Sequence, residues 1–373
     1  MKMKFSFLRK FAMLAVVTAM VFIQSCTNDP EPIAKPGESG FFIVNEGTFG
    51  GTNASLSFYD RKADAVTNNV IFTPDHKLGD QAQSMTIFED KGYIVVQNSS
   101  KIEVIDVANS TSLTTITEDL PSPRYFVGIS STKAYVSDWG TNGITGTVKV
   151  IDLSTNKVTK TISAGVGTNK MLKVGNFVYV TNTGGYDNEN FISVSDNTVK
   201  VIDTNTDAIV ATITTGDNPN SLQLDKDGNI WVTSSGATVY SITPTGYGID
   251  EDKSTKGSVS KISSANTEIL RLTMEDFTFS NIGNLGISPD ATKLYYTYDG
   301  AVYSLSTTAT SLPTTAFKTK DYYGLAIDPF NGDVIGCYAP NFSSAGSIDV
   351  YDASGTLVTT STVGIAPNGC AFK

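Results

Sequence analysis

One pentapeptide recurs along this chain and limits what it can fold into. Val148-Lys149-Val150-Ile151-Asp152 returns almost unchanged as Val199-Lys200-Val201-Ile202-Asp203. Each copy reads as a β-strand halted at Asp by a polar turn and followed by a second strand. One such unit cannot bury its own apolar side chains, so the copies must stack on one another. Aligned on the terminal Asp, the series ends in turn at Asp60, Asp106, Asp152, Asp203, Ser263, Ser306 and Asp352. Ser stands in the Asp position of the fifth and sixth copies. The spacings are 46, 46, 51, 60, 43 and 46 residues, about one four-stranded propeller blade each.

Two further series fix the blades. One lies upstream of each repeat, with Phe41-Phe42-Ile43-Val44, Tyr93-Ile94-Val95-Val96 and Ile230-Trp231-Val232 among its seven members. The other precedes that one, with Ser84-Met85-Thr86-Ile87 and Ser221-Leu222-Gln223-Leu224 among six internal members. The seventh is Gly369-Cys370-Ala371-Phe372, after a Val363-to-Pro367 stretch that matches Gly216 to Pro219. The C-terminal strand should therefore be the innermost strand of the blade that Phe41 begins, leaving no open edge. The expected fold is all-β, a seven-bladed β-propeller of four-stranded blades over residues 41–373. Charged residues make up only 17% of the chain, and β-branched residues, Gly and Asn abound, which suits strands and tight turns.

The N-terminus reads differently. Lys2, Lys4, Arg9 and Lys10 precede an apolar run from Phe11 to Ile23, the layout of a signal peptide over residues 1–25. Ser25-Cys26 resembles a bacterial lipobox, so Cys26 is expected to carry the lipid and become the mature N-terminus. Residues 26–40, with Pro30, Pro32 and Pro36, form an extended tether. Thr27 stands where an inner-membrane retention Asp would stand, and Asp29 and Glu31 resemble an outer-surface signal. The expected location is the outer membrane, lipid-anchored and surface-exposed, with the membrane touched through the anchor only. Removing the leader takes the formal charge from −10 to −14, which argues against nucleic acid as a partner.

Antiparallel order sorts the loops onto two faces. Loops joining first to second and third to fourth strands are short polar turns, among them Ser154-Thr155-Asn156. Asp225-Lys226-Asp227-Gly228-Asn229 is one of these turns, because it lacks the ligand spacing and distal Glu of a calcium loop. Loops joining second to third strands, and each blade to the next, are long and carry the aromatics. They hold Phe49, Trp139, Tyr186, Phe191, Tyr240, Tyr247, Tyr298 and Phe342, with His76, Arg124, Tyr125, Tyr322 and Tyr323 on the blade-to-blade links. Rigid amphipathic rings among loop amides make a binding surface. The candidate ligand-binding set is Phe49, Arg124, Tyr125, Asp138, Trp139, Tyr186, Tyr322, Tyr323 and Phe342. Catalytic chemistry is sparse. His76 is the one histidine, so there is no histidine cluster for a metal, and no Ser lies in a nucleophile elbow. Asp187 and Glu189 read as a solvated acidic loop, and Cys337 and Cys370 as small buried hydrophobes. The expectation is no enzyme, no catalytic metal and no cofactor.

Phe42-Ile43-Val44-Asn45-Glu46-Gly47, Pro123-Arg124-Tyr125, Tyr135-Val136-Ser137-Asp138-Trp139 and Tyr323-Gly324-Leu325-Ala326-Ile327-Asp328-Pro329 resemble YncE-like propeller lipoproteins of Gram-negative gut anaerobes. The likeness runs through the whole mature chain, and within that group the chain is similar to the BtuG-type lipoproteins. The resemblance implies non-enzymatic capture of cobalamin or a related corrinoid at the cell surface, and a TonB-dependent outer-membrane transporter as partner. Haem or a glycan as the ligand, and a protein-interaction or surface-structural role, remain open alternatives.

Overall fold

In the computed structural model of the chain, residues 39–71, 77–243, 246–277 and 282–373 are described. Seven antiparallel sheets follow one another along them. Blade 1 is built from Gly40–Asn45, Ser55–Asp60 and Ala65–Asn68, and blade 2 from Ala82–Phe88, Lys91–Val96, Lys101–Asp106 and Thr111–Ile116. Blades 3, 4, 5, 6 and 7 begin with the innermost strands Pro123–Ser130, Thr168–Val174, Pro219–Leu224, Gly283–Ile287 and Gly324–Ile327. Every strand of the three sequence series is present. In blade 6 the sheet has three strands, and the fourth position is held by a single bridge between Val302 and Lys318.

Closure occurs as the sequence implies. The C-terminal strand Pro367–Phe372 pairs with Gly40–Asn45, in the register Phe41 to Phe372, Phe42 to Ala371 and Ile43 to Cys370. Beyond it, Lys373 donates its backbone N–H to the Gly40 carbonyl at 2.9 Å. Arg61 adds a second tie between the last and first blades by donating to the buried Asp328 carboxylate through Nε at 2.9 Å and through Nη2. Gly364 and Gly216 explain the matched approach to the two innermost strands. A Cβ at Gly364 would stand 2.5 Å from Ser55 Oγ, and one at Gly216 would stand 2.3 Å from Ser258 Oγ.

The unbroken apolar runs follow from burial on both faces of each blade. Side chains alternate along a strand, so Phe42 and Val44 pack with Ile94, Val96 and Ile105 of blade 2. Phe41 and Ile43, pointing the other way, pack with Ile335, Cys337 and Ile348 of blade 7. Cys337 and Cys370 are free thiols in this same cluster, and burial followed by the neighbouring Cys337 pushes the Cys370 thiol up.

The repeated Asp acts in the turn. Asp106 Oδ1 accepts the N–H groups of Ala108 at 2.8 Å and Asn109 at 2.9 Å, and Asp152, Asp203 and Asp352 accept in the same way. This Asx turn stops the strand. A residue in the left-handed region then sends the chain back: Asp64, Ser110, Asn156, Asp207 and Asn266 lie between φ 48° and 59°. Ser306 substitutes for Asp by accepting the Thr308 N–H at 3.2 Å. Asp225 closes its turn similarly, taking N–H from Asp227 and Asn229, and also accepts from the fully buried Trp231 Nε1 at 3.0 Å.

Two predictions follow from this scaffold. Deleting residues 371–373 leaves Phe41 and Phe42 without their strand partner. It should cost about 3 kcal/mol or more, and lower Tm by roughly 5 °C or more in a calorimetric scan. An unchanged Tm would mean that the pairing contributes nothing to closure. Asp225→Ala strands the Trp231 N–H in the core and should cost about 2–3 kcal/mol in urea unfolding.

Candidate functional site

The chain runs outward from the axis in every blade, so the long loops share one face. Two of them differ from the irregular loops that the sequence suggested. Within 183–197, Gly185–Asp187 pairs with Ile192–Val194, and within 235–257, Tyr240–Thr243 pairs with Gly246–Ile249. Asp187 closes the first hairpin. Its carboxylate accepts Asn190 Nδ2 at 2.7 Å and the N–H groups of Asn190 and Glu189, which hold it below the usual carboxylate range. In the second hairpin, Tyr240 stacks near Tyr247 at 6.1 Å, and Ile242 lies directly across from Tyr247. Of the seventeen large hydrophobic residues exposed among the described residues, ten lie on this face, so the apolar surface is concentrated there.

At the centre of that face the innermost strands share a local irregularity. Register shifts occur after Ala82, Pro123, Thr168, Pro219 and Gly283, and opposite Asn368 in blade 1. A bulge here re-aims the side chains that it carries. The first residues of the bulges are Gln83, Arg124, Asn169, Asn220, Asn284 and Asn368, with Tyr125, Lys170 and Leu285 second in the two-residue bulges, and Tyr323 holds the corresponding place in blade 7. The amides of Asn220, Asn284 and Asn368 reach across blades. Asn368 Nδ2 donates to the Gln83 carbonyl at 2.9 Å, Asn220 Nδ2 to the Ile282 carbonyl at 2.7 Å, and Asn284 Nδ2 to the Tyr323 carbonyl at 2.9 Å. Gly324 has to be glycine, because a Cβ would meet the Asn368 carbonyl oxygen at 2.3 Å. Residues of five blades, Gln83, Tyr125, Lys170, Asn284 and Asn368, converge on an axial cavity of about 170 Å³.

Arg124 lies 3.8 Å from the centroid of the Trp139 ring and donates through Nη1 to Gln97 Oε1. Its Nε and the indole Nε1 of Trp139 are buried with no hydrogen-bond partner among the described residues. Burial pushes Arg124 below its ordinary value, against the raising influence of Tyr125, Glu46 and Tyr323. Glu46 accepts Asn368 Nδ2 at 2.7 Å and the Tyr323 hydroxyl at 2.9 Å. Burial raises its pKa, and the bonds from Asn368 and Tyr323 and the charge of Arg124 oppose this only in part. The Tyr323 ring meets Phe342 edge-on at 4.9 Å. Both rings line a second cleft of about 410 Å³, which also contains Tyr298, Asp299, Asp321 and Tyr338. Asn284 borders both spaces and joins them into one surface.

Of the sequence-derived candidates, Tyr125 lines the axial cavity and Tyr323 and Phe342 the second cleft, while the Arg124–Trp139 stack lines neither. Phe49, 74% exposed, and Tyr186 stand on the rim, outside both cavities. Two candidates lie below the face. Asp138 is fully buried and accepts the N–H groups of Ser122 at 3.0 Å and Gly140 at 2.7 Å, so it ties the start of the loop that carries Trp139 to the link that enters blade 3. Burial is what raises its pKa, against those bonds. Tyr322 is 3% exposed and its hydroxyl bonds with Asp349 and Tyr351, so it packs within blade 7 and forms part of the wall of the second cleft. Cys26 and His76 fall outside the described residues. The sequence reading missed Glu46, Lys170 and the bulge amides. The available signal was an amide or Arg directly after the first residue of an innermost strand, as in Pro123-Arg124, Thr168-Asn169, Pro219-Asn220 and Pro367-Asn368. Among the described residues, no group of three or more His, Cys, Asp or Glu is placed to hold a metal ion.

These features define a propeller with a polar axial mouth ringed by aromatics. The chain belongs to the family described as Domain of unknown function (DUF5074), which it matches over residues 39–365. No curated protein matches it. Among solved structures it is similar to a quinonprotein alcohol dehydrogenase-like protein from Bacteroides thetaiotaomicron, at 14% identity and TM-score 0.63, covering 91% of this chain and 79% of that one. It is also similar to hydrazine synthase of Kuenenia stuttgartiensis, at 14% identity and TM-score 0.58, covering 92% and 98%. A protein from Lactobacillus plantarum matches at 14% identity and TM-score 0.62, covering 90% and 99%. At such identity these likenesses establish the fold alone.

The raised pKa of Glu46 predicts a pH effect with a definite sign. The folded chain holds the proton more tightly than the unfolded chain, so this group lowers stability as pH rises from the ordinary 4.5 through its folded pKa. Glu46→Gln should therefore gain Tm relative to the parent as pH climbs above 4.5. A constant difference from pH 4 to 7 would contradict the buried, destabilised carboxylate.

Proposed function

We propose that this protein captures a large amide-bearing nutrient, cobalamin or a related corrinoid, on its loop face and passes it to a TonB-dependent outer-membrane transporter, without catalysis. The reading includes anchoring through Cys26 at the surface of the outer membrane. The observation that carries it is the grouping on the loop face of the Arg124–Trp139 stack, the Tyr323–Phe342 pair and the bulge amides. A corrin has broad apolar faces and an amide-bearing rim. Stacked aromatics suit the faces, and Asn and Gln side chains suit the rim. The likeness of the sequence to BtuG-type lipoproteins points the same way.

A second reading, a protein-docking module, is favoured by the hairpin Tyr240–Ile249. It presents Ile242 at 88% and Tyr247 at 78% exposure on one face. Calorimetry of the mature protein with cobalamin, haem and oligosaccharides separates the two. Corrinoid capture predicts saturable cobalamin binding, weakened by about tenfold or more in Trp139→Ala and in Tyr323→Ala. No heat with any of the three ligands would favour protein docking.

A further inference from the structure

The axial cavity contains one positively charged side chain, Lys170. No Asp or Glu lines it. Lys170 Nζ has three protons, and its one hydrogen-bond partner among the described residues is Ser221 Oγ at 3.2 Å. Ser221 is itself fixed, because its hydroxyl also accepts the Leu285 N–H from blade 6 at 3.2 Å. The ammonium stands 5.8 Å from the centroid of the Tyr125 ring. The Tyr125 hydroxyl accepts from Gln83 Nε2 at 3.3 Å, so its own proton points to no acceptor among the described residues. The nearby Glu46 carboxylate is engaged by Asn368 and Tyr323. The amide N–H groups of Asn368 and Asn284 are committed to carbonyls of neighbouring blades, which makes the walls stiff. In a chain of formal net charge −10, this is a cation whose cavity lining holds no carboxylate.

We propose that the cavity is an anion subsite, in which Lys170 Nζ and Tyr125 Oη receive the anionic oxygen group of the captured ligand. The proposal rests on the capture reading and adds the position of the ligand's negative group. About 170 Å³ admits a phosphodiester or carboxylate and excludes a macrocycle, which would lie over the mouth against Tyr323, Phe342 and Trp139. A nucleotide-bearing corrinoid supplies one phosphodiester on a flexible arm. The same donors would also take free inorganic phosphate, because both recognise anionic oxygen.

The test is calorimetric titration of the mature protein and of Lys170→Met with cobalamin, with cobinamide, which lacks the nucleotide phosphodiester, and with inorganic phosphate. The parent should bind cobalamin at least about tenfold tighter than cobinamide, and Lys170→Met should shrink that gap to about threefold or less. Tyr125→Phe, which deletes only a hydroxyl, should narrow the gap by a smaller factor, and Lys170→Arg should restore most of it. An equal gap in the parent and in Lys170→Met would overturn the subsite and leave corrinoid capture standing. If the parent bound neither corrinoid, the capture reading would fail and phosphate would decide the subsite alone. Saturable phosphate binding lost in Lys170→Met would uphold it, and no phosphate binding would overturn it.

Discussion

The pairing of the C-terminal strand with Phe41–Val44 is the contact on which the rest of the molecule depends. It joins two ends of the chain more than 300 residues apart and leaves no blade with an open innermost edge. It also completes the site. Asn368, carried by that strand, donates to Glu46 in the first loop and to the Gln83 carbonyl in blade 2. Scaffold closure and assembly of the axial mouth are therefore one event.

The mouth combines two kinds of rigidity. The amides of Asn220, Asn284 and Asn368 tie neighbouring blades together by hydrogen bonds to backbone carbonyls, which stiffens the mouth. Around it the Arg124–Trp139 stack and the Tyr323–Phe342 pair offer apolar area that loses little rotamer freedom on binding. The scaffold is common to structures only 14% identical to this chain, and any specificity belongs to the loops and bulges mounted on it.

Much of the fold was legible because it is periodic. The Asp-ended repeat marks the third strands, and their spacing counts the blades. The match between Val363–Pro367 and Gly216–Pro219 reveals the closing strand. Local turn chemistry was legible too, since Asp225 caps its turn, accepting the N–H groups of Asp227 and Asn229 and of the Trp231 indole. The site was legible only in part. Composition directs attention to loop aromatics, but burial at a strand end depends on which way a single residue points. Asp138 and Trp139 are adjacent, yet one lies beneath the face and the other on it. Tyr322 and Tyr323 divide in the same way. The bulges that turn Gln83, Asn220 and Asn368 inward are breaks in register, which a reading by strand alternation passes over even though an amide or Arg recurs there from blade to blade. The hairpin 240–249 sits inside the longest interval between repeats, where the sequence showed an insertion but not its form.

The central claim is that a corrinoid-sized ligand sits over the axial mouth on the loop face. Backbone hydrogen exchange of the mature protein, with and without saturating cobalamin, tests it most directly. The account predicts new protection confined to segments 46–54, 123–126, 139–145, 168–171 and 339–344, with the Asp-capped turns at 107–110, 153–156 and 204–207 unchanged. Protection on those turns instead, or none on the loop face at saturation, would contradict it.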